Sequence, residues 1–193
     1  EINQLDGQKR WTKYYPGSGK FSRDWTCYHP SYFERWDDEV FEGMPDFCHR
    51  NPYVYSEMME YSRWLIEEIG FDGLRYDFVK GYGTWIITAI LERLYKKNGV
   101  TNFSPFGVGE YWDAENSITE WLNQTNAFSD NPVSAFDFTL RSRLKDLCDS
   151  PNFDLSTLKE KGTLITEGMG LRAVTFVENH DIIRTDPIIN DKM

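Results

Sequence analysis

Three acidic residues, each at the end of a predicted strand, have the types and spacing for a shared catalytic site. They are Asp77, Glu110 and Asp181. A single acid in such a position is usually a solvated turn residue or a helix N-cap. In a parallel α/β barrel, however, the carboxyl ends of all strands converge on one rim. We therefore expect the three carboxyl groups to face one cleft.

A pair of carboxylates in one cleft suits glycoside hydrolysis. One must be ionised to attack or stabilise an oxocarbenium-like centre, and the other must stay protonated to donate to the leaving oxygen. Arg75 precedes Asp77 by two residues on the same face of the strand, so it would favour the ionised form of Asp77, as a nucleophile requires. Glu110 follows the apolar run 106–109, and desolvation there would raise its pKa, as a general acid requires.

Predicted strands and helices alternate around these acids. The alternation predicts right-handed βαβ units and a parallel sheet, and hence the α/β class. We expect strands at 73–77, 106–110, 135–138 and 173–177, and helices at 82–98, 114–126 and 139–148.

The first fifty residues differ from the rest. Residues 1–50 are rich in turn formers and contain six acids between positions 34 and 46, which predicts an irregular, loop-rich domain. Residues 51–193 form the predicted α/β domain, and their first element is a helix that ends near Gly70. Its expected apolar face consists of Val54, Met58, Tyr61, Leu65 and Ile69.

Composition restricts the partners of the chain. Its 193 residues include 21 Lys and Arg against 31 Asp and Glu, a net charge of −10, with 40% hydrophobic residues. This is an ordinary globular balance, and the absence of a basic stripe argues against nucleic acid. No apolar run approaches the roughly 20 residues of a membrane span. Cys27, Cys48 and Cys148 leave open a Cys27–Cys48 disulfide or a metal-binding thiolate.

Three segments resemble motifs of the α-amylase family of glycoside hydrolases. Residues 70–82 (GFDGLRYDFVKGY) are similar to its nucleophile region, 107–112 (GVGEYW) to its acid/base region, and 176–181 (FVENHD) to the segment bearing its third carboxylate. The order of the motifs is also that of the family. The continuation 80–82 and the stretch 17–48 look most like the plant and archaeal-type α-amylases.

The resemblance implies retaining endo-hydrolysis of α-1,4-glucosidic bonds in starch-like polysaccharides or maltooligosaccharides. Asp77 would be the nucleophile, Glu110 the acid/base, and Asp181 the residue that stabilises the transition state, with the first two carboxyl groups about 5–5.5 Å apart. A polymeric substrate also implies an extracellular, secreted enzyme. Candidate substrate contacts are Arg75, Lys80, Tyr82, His180 and, as a sugar-stacking ring, Trp112; Trp25 is a second stacking candidate with core packing as its alternative.

The resemblance also implies metal sites in the acidic segment. Calcium prefers carboxylate and carbonyl oxygens, and the matching positions are the Asp37 and Asp46 side chains with the Glu39 and Gly81 carbonyls; the alternative is a merely solvated loop. A zinc site would use His29 and Cys48, with Glu34 where archaeal relatives have a second histidine. The alternative for Cys48 is a small buried hydrophobe.

The implied fold is a partial (β/α)8 TIM barrel, covering about strands 4 to 7, with the loop-rich domain inserted at the N-terminal end. We expect a fragment, or a chain that associates with the missing barrel portion or with itself, because a half-barrel exposes sheet edges and apolar helix faces. The alternative function is a non-catalytic carbohydrate-binding or interaction module on the same scaffold. Such modules tend to lose the carboxylates that this chain retains.

Overall fold

A computed structural model describes residues 1–127, 129–152, 154–183 and 186. Short 3-10 or π turns occur at Trp25–Cys27, Val79–Gly81, Leu155–Lys159 and Ile165–Met169. No helix in these ranges is long and apolar enough to cross a membrane. The longer helices are α1 (Pro52–Arg63, extended by a π turn at Trp64–Glu68), α2 (Thr84–Leu91), α3 (Glu115–Asn126) and α4 (Phe138–Asp149). The strands are β1 (Gly73–Tyr76), β2 (Tyr95–Lys97), β3 (Val100–Phe103), β4 (Phe106–Gly109), β5 (Ser134–Phe136) and β6 (Ala173–Val174).

The chain divides by its contacts into two compact units. The first contains residues 1–73 and 79–105, and the second contains residues 74–78 and the described residues from 106 onward. The first unit therefore includes the irregular N-terminal segment, α1, α2 and the β2–β3 hairpin. Contact grouping describes packing and not independent folding, so the domain boundary expected near residue 50 stays a prediction.

The second unit is built on a four-stranded sheet in the order β1-β4-β5-β6. β4 pairs with β5, and β5 with β6, in parallel. The predicted α/β class with a parallel sheet is thus confirmed, and these strands lie side by side in chain order. The helix α4 starts directly after β5 because Asp137 caps it, its carboxylate accepting a hydrogen bond from the Leu140 N–H.

The prediction of one helix over 82–98 is wrong at its C-terminal end. The helix α2 stops at Leu91, and residues 95–103 form the antiparallel hairpin β2–β3. The turn of this hairpin contains Asn98 and Gly99, whose φ angles are 50° and 81°. An Asn-Gly pair favours a two-residue hairpin turn, and this local signal outweighs the apolar periodicity. The predicted strand at 173–177 is also shorter, since β6 ends at Val174.

The buried face of α1 differs from the predicted one. Val54 is buried as expected, but Tyr61 and Ile69 are exposed. Ser62 is buried instead. Its hydroxyl donates to the Met58 carbonyl, so this polar group has a hydrogen-bond partner without water. The apolar periodicity failed here because it excludes polar residues, whereas a serine that bonds within its own helix can be buried. The observed buried residues are Val54, Met59, Ser62 and, in the π turn, Ile66.

Candidate active site and cation site

The carboxyl groups of Asp77 and Glu110 are joined by one guanidinium. Arg75 Nη1 lies 2.6 Å from Asp77 Oδ1, and Arg75 Nη2 lies 2.8 Å from Glu110 Oε1. Asp77 directly follows β1, and Glu110 directly follows β4. The Glu110 N–H donates to the Tyr76 carbonyl at 2.9 Å, so the backbone holds the ends of these two neighbouring strands together. Two of the three predicted catalytic acids therefore lie in one cluster.

The two acids have very different environments. The side chain of Asp77 is 73% exposed, whereas that of Glu110 is 11% exposed. Burial raises the pKa of Glu110 and the neighbouring Asp77 raises it further, while the Phe78 N–H and the charge of Arg75 act in the opposite direction. The result is a buried carboxyl group that holds its proton more tightly than usual, beside an accessible carboxyl group.

A backbone donor near Glu110 was not foreseen. The N–H of Phe78 donates to Glu110 Oε2 at 3.1 Å. Phe78 has a φ of 43°, in the left-handed region that residues other than glycine rarely adopt. Such strain clusters at functional sites, and here it accompanies an amide aimed at the candidate acid. Nothing in the residue type of Phe78 signals this conformation.

The third predicted acid lies in the segment that follows β6. Asp181 Oδ2 lies 3.2 Å from His180 Nε2, so these two candidates contact each other. The Asn179 side chain accepts hydrogen bonds from the N–H groups of Asp181 and Ile182, which fixes the turn. β6 is parallel to β5, which is parallel to β4, so this segment leaves the sheet in the same direction as Glu110. That Asp181 shares a cleft with Asp77 and Glu110 stays a prediction.

Arg141 anchors this segment and was missed in the sequence. Its side chain, only 4% exposed, lies 3.7 Å from Glu178 and 2.6 Å from Asp186. It also donates to the Val177 carbonyl at 3.4 Å. An arginine in a predicted helix is normally a surface residue. The acids at 178 and 186 lie far along the chain from Arg141, so no local sequence signal indicates this contact.

The two stacking candidates differ in exposure. Trp112 is 49% exposed, and its ring stacks on Phe138 with centroids 5.1 Å apart. Both rings line an open groove of about 470 Å³. Trp25 is 9% exposed and packs edge-on against Tyr32, with centroids 5.4 Å apart. Trp25 is thus a core residue, as its alternative interpretation held.

The acidic segment of the first unit brings together candidate metal ligands. The ligand atoms of His29, Asp37 and Asp46 lie within 4.8 Å of one another, and so do those of His29, Glu34 and Cys48. His29 Nε2, Asp37 Oδ1 and Asp46 Oδ2 are buried, and none has a hydrogen bond of ordinary geometry within the described part of the chain. Burial and the charge of Asp37 raise the pKa of Asp46 to about 7. Unsatisfied buried donors and acceptors of this kind fit a bound cation.

The remaining candidate residues of the first unit are Glu39, Lys80, Gly81 and Tyr82. The Glu39 N–H donates to the Lys80 carbonyl at 3.0 Å, and Lys80 Nζ lies 3.6 Å from Glu39 Oε2. Gly81, the next residue, is buried. The ring of Tyr82 lies 5.4 Å from that of His49. The acidic segment is thus tied to residues 80–82, while the carbonyl-ligand roles of Glu39 and Gly81 and the substrate contacts of Lys80 and Tyr82 stay predictions.

The three cysteines are free thiols. Cys27 and Cys48 are buried neighbours, since the Cys48 N–H donates to the Cys27 carbonyl at 2.9 Å. The disulfide alternative is therefore not realised in this structure. Cys48 remains available as a buried hydrophobe or as a metal ligand.

Several curated α-amylases are similar to this chain. Alpha-amylase 3, chloroplastic, of Arabidopsis thaliana is 30% identical over 158 residues, 73% of this chain and 16% of that protein. Probable alpha-amylase 2 of the same plant is 29% identical over 157 residues, 73% of this chain and 35% of that protein. The α-amylase of Geobacillus stearothermophilus is 31% identical over 133 residues, 68% of this chain and 23% of that protein. The chain thus spans 16% to 35% of the length of these relatives, and no family model matches it.

Solved α-amylases share the fold. An Anoxybacillus α-amylase superposes with a TM-score of 0.59 at 20% identity, over 80% of this chain and 34% of that one. α-Amylase I of Eisenia fetida gives 0.58 at 23% identity, over 75% and 29%. A mutant of the Eisenia enzyme in complex with maltohexaose gives 0.55 at 22% identity, over 72% and 28%. In sequence and in fold, this chain is therefore a relative of the α-amylases, which are glycoside hydrolases.

Proposed function

We propose that this chain carries the catalytic centre of a retaining endo-hydrolase of α-1,4-glucans. The observation that carries the proposal is that Arg75 contacts the carboxyl groups of both Asp77 and Glu110, of which Glu110 is largely buried and Asp77 is exposed. A retaining glycosidase needs one accessible nucleophile and one carboxyl group that keeps its proton. The similarity to curated α-amylases supports the substrate class, and so does the maltohexaose bound to a structural neighbour.

In the first step, Asp77 attacks the anomeric carbon while Glu110 gives its proton to the leaving glycosidic oxygen. The bond to the leaving sugar breaks, and a glycosyl ester forms on Asp77. In the second step, Glu110, now ionised, takes a proton from a water molecule whose oxygen attacks the anomeric carbon. The ester bond to Asp77 breaks, Asp77 is regenerated, and the sugar leaves with its original configuration. The raised pKa of Glu110 suits it to the first step, and Arg75 and the Phe78 N–H stabilise its ionised form in the second.

Other residues complete the proposed cleft. Asp181 and His180 would bind sugar hydroxyls and stabilise the oxocarbenium-like centre. Trp112 offers a half-exposed ring beside an open groove, a surface on which a sugar can stack. Lys80 and Tyr82 would line the leaving-group side, and the expected separation of the Asp77 and Glu110 carboxyl groups is about 5–5.5 Å.

The rest of the barrel and a cation belong to the same proposal. The sheet of four strands, laid side by side in chain order, would be part of a (β/α)8 barrel closed by further strands from the same or another polypeptide. A divalent cation held by Asp37 and Asp46 would order the acidic segment, and the resemblance implies calcium. An extracellular location is part of the same proposal, supported by the polymeric substrate and by the resemblance.

The test uses the complete gene product that contains these residues, incubated with soluble starch. We expect new reducing ends, with the α-anomer detected first by NMR as retention requires. Glu110→Gln and Asp77→Asn should each lower kcat by roughly 100-fold or more. The matched control is Glu120→Gln, which changes an exposed acid on α3.

Two outcomes would contradict the proposal. Release of the β-anomer would exclude retention. Glucan binding without new reducing ends, unchanged by Asp77→Asn, would favour the non-catalytic carbohydrate-binding module.

A further inference from the structure

His29 is a buried nitrogen donor that faces the carboxylates expected to bind calcium. Its residue exposure is 1%, and its Nε2 atom has no hydrogen bond of ordinary geometry within the described residues. Nε2 lies 3.4 Å from Asp37 Oδ1. This distance is too long for a good hydrogen bond. It is close to the separation of about 3.3 Å between two ligands on a tetrahedral cation with bonds of about 2.05 Å.

The other ring nitrogen of His29 fixes the orientation of the imidazole. Nδ1 lies 3.1 Å from the Glu34 carbonyl oxygen, which can only accept. Nδ1 therefore carries a proton, and in the neutral ring the lone pair resides on Nε2. A backbone carbonyl that holds one ring nitrogen in this way is the usual support of a metal-binding histidine. The ring is thus set to ligate through Nε2, toward Asp37.

The chemistry of the donors then decides between cations. Calcium takes oxygen ligands almost exclusively, so a buried imidazole nitrogen adds nothing to its binding and takes one place in its shell. Zinc accepts imidazole nitrogen and carboxylate oxygen together. A site with one nitrogen and two carboxylates therefore suits a borderline cation better than a hard one.

We propose that His29, Asp37 and Asp46 form one mixed nitrogen–oxygen site that selects zinc over calcium, with Glu34 and Cys48 outside it. This site replaces the separate calcium and zinc sites that the family resemblance implies, because His29, expected in the zinc set, lies against Asp37 and Asp46, which were expected to bind calcium. Glu34 contributes only its carbonyl, as the support of the imidazole, and Cys48 is a buried hydrophobe. The site does not depend on glucan hydrolysis.

Calorimetric titration of the metal-free chain tests the selectivity. We expect one equivalent of Zn²⁺ to bind at least tenfold more tightly than Ca²⁺. His29→Asn supplies an amide oxygen in place of the imidazole nitrogen, and it should lower the ratio of zinc to calcium affinity at least tenfold. A ratio measured on one protein is insensitive to a general loss of stability. Glu42→Gln, an exposed acid of the same segment, is the control and should leave the ratio unchanged.

Co²⁺ in place of Zn²⁺ tests the ligand set on the unmodified chain. We expect visible ligand-field bands without the near-ultraviolet charge-transfer band of a thiolate ligand, and Cys48→Ser should leave the spectrum and the zinc affinity unchanged. A thiolate band, or loss of zinc on Cys48→Ser, would overturn the proposal in favour of the set with Cys48. Zinc bound no more tightly than calcium would also overturn it, and His29 would then be an ion-pair partner of Asp37 only.

Discussion

Arg75 and Glu110 form an ion pair with 2.8 Å between Nη2 and Oε1, and the same guanidinium contacts Asp77 with its other terminal nitrogen. A planar guanidinium can bind two carboxyl groups at once because its donors are arranged as a rigid fork. From the sequence, Arg75 was expected to act on Asp77 alone. It also fixes the position of the acid on the neighbouring strand.

The stability of the chain should depend on pH through Glu110. Its pKa is raised in the native state, so the native state binds this proton more tightly than the unfolded state does. The contribution is complete below the ordinary carboxyl pKa and is lost as pH rises through the raised value. Glu110→Gln should remove this loss, as seen in urea unfolding at a series of pH values. Glu120→Gln should keep the wild-type slope, and parallel curves for wild type and Glu110→Gln would contradict the assignment.

Removing the guanidinium should shift the titration of Glu110 further upward. Arg75 acts to lower the pKa of this carboxyl group against the effect of burial, so Arg75→Gln leaves burial less opposed. Carbon-13 NMR of the Glu110 carboxyl group would follow the shift directly. Arg35→Gln removes an exposed arginine elsewhere and should not move this titration. A lower pKa in Arg75→Gln would show that the ion pair is not formed in solution.

Gly109 should not tolerate a side chain. A Cβ atom at this position would lie 2.2 Å from the Trp121 ring, so β4 or the indole must move, and Glu110 is the next residue. We expect Gly109→Ala to cost about 1–3 kcal/mol of unfolding free energy, the usual range for overpacking, measured by urea denaturation. Gly170→Ala is the control because a Cβ there would meet nothing within 4 Å. Equal stability of the two variants would show that the indole relaxes freely.

Arg141 should hold the segment that bears Asp181. Arg141→Met removes the guanidinium that lies 3.7 Å from the carboxylate of Glu178, whose side chain is 14% exposed. Breaking a largely buried pair in this way costs roughly 3 kcal/mol, and residues 177–183 should become more sensitive to limited proteolysis. Lys159→Met, at an exposed position, should change neither measurement. Unchanged cleavage in Arg141→Met would mean that the turn at Asn179 is sufficient to hold the segment.

The order of strands and helices was largely predictable because it rests on local patterns. The strands that end before Asp77 and Glu110 have short apolar sequences, and the helices between them have clear periodicity. The hairpin at 95–103 was missed because a helix was expected over 82–98 and the Asn-Gly pair at 98–99 was not considered. The face of α1 was wrong in part because a serine can be buried when its hydroxyl bonds to its own helix.

The candidate site was predictable in its residues but not in its contacts. Asp77 and Glu110 could be placed on adjacent strand ends from the sequence, since parallel strands end on one rim. The Phe78 amide and the Arg141 anchor could not be, because each depends on a conformation or a long-range contact that residue type does not encode. The resemblance assigned His29 to the zinc site, but its ring lies against Asp37, an expected calcium ligand. Only the orientation of the ring distinguishes these two ligand sets, and the sequence does not give that orientation.

The donor that contacts Glu110 from Phe78 belongs to the main chain. Its presence is therefore independent of which amino acid occupies position 78, with proline, which lacks the N–H, as the exception. Substitution by glycine or asparagine would even reduce the strain of the left-handed conformation. The local setting of the proton donor can thus persist through extensive sequence divergence, so a comparison of residue identities alone would overlook it.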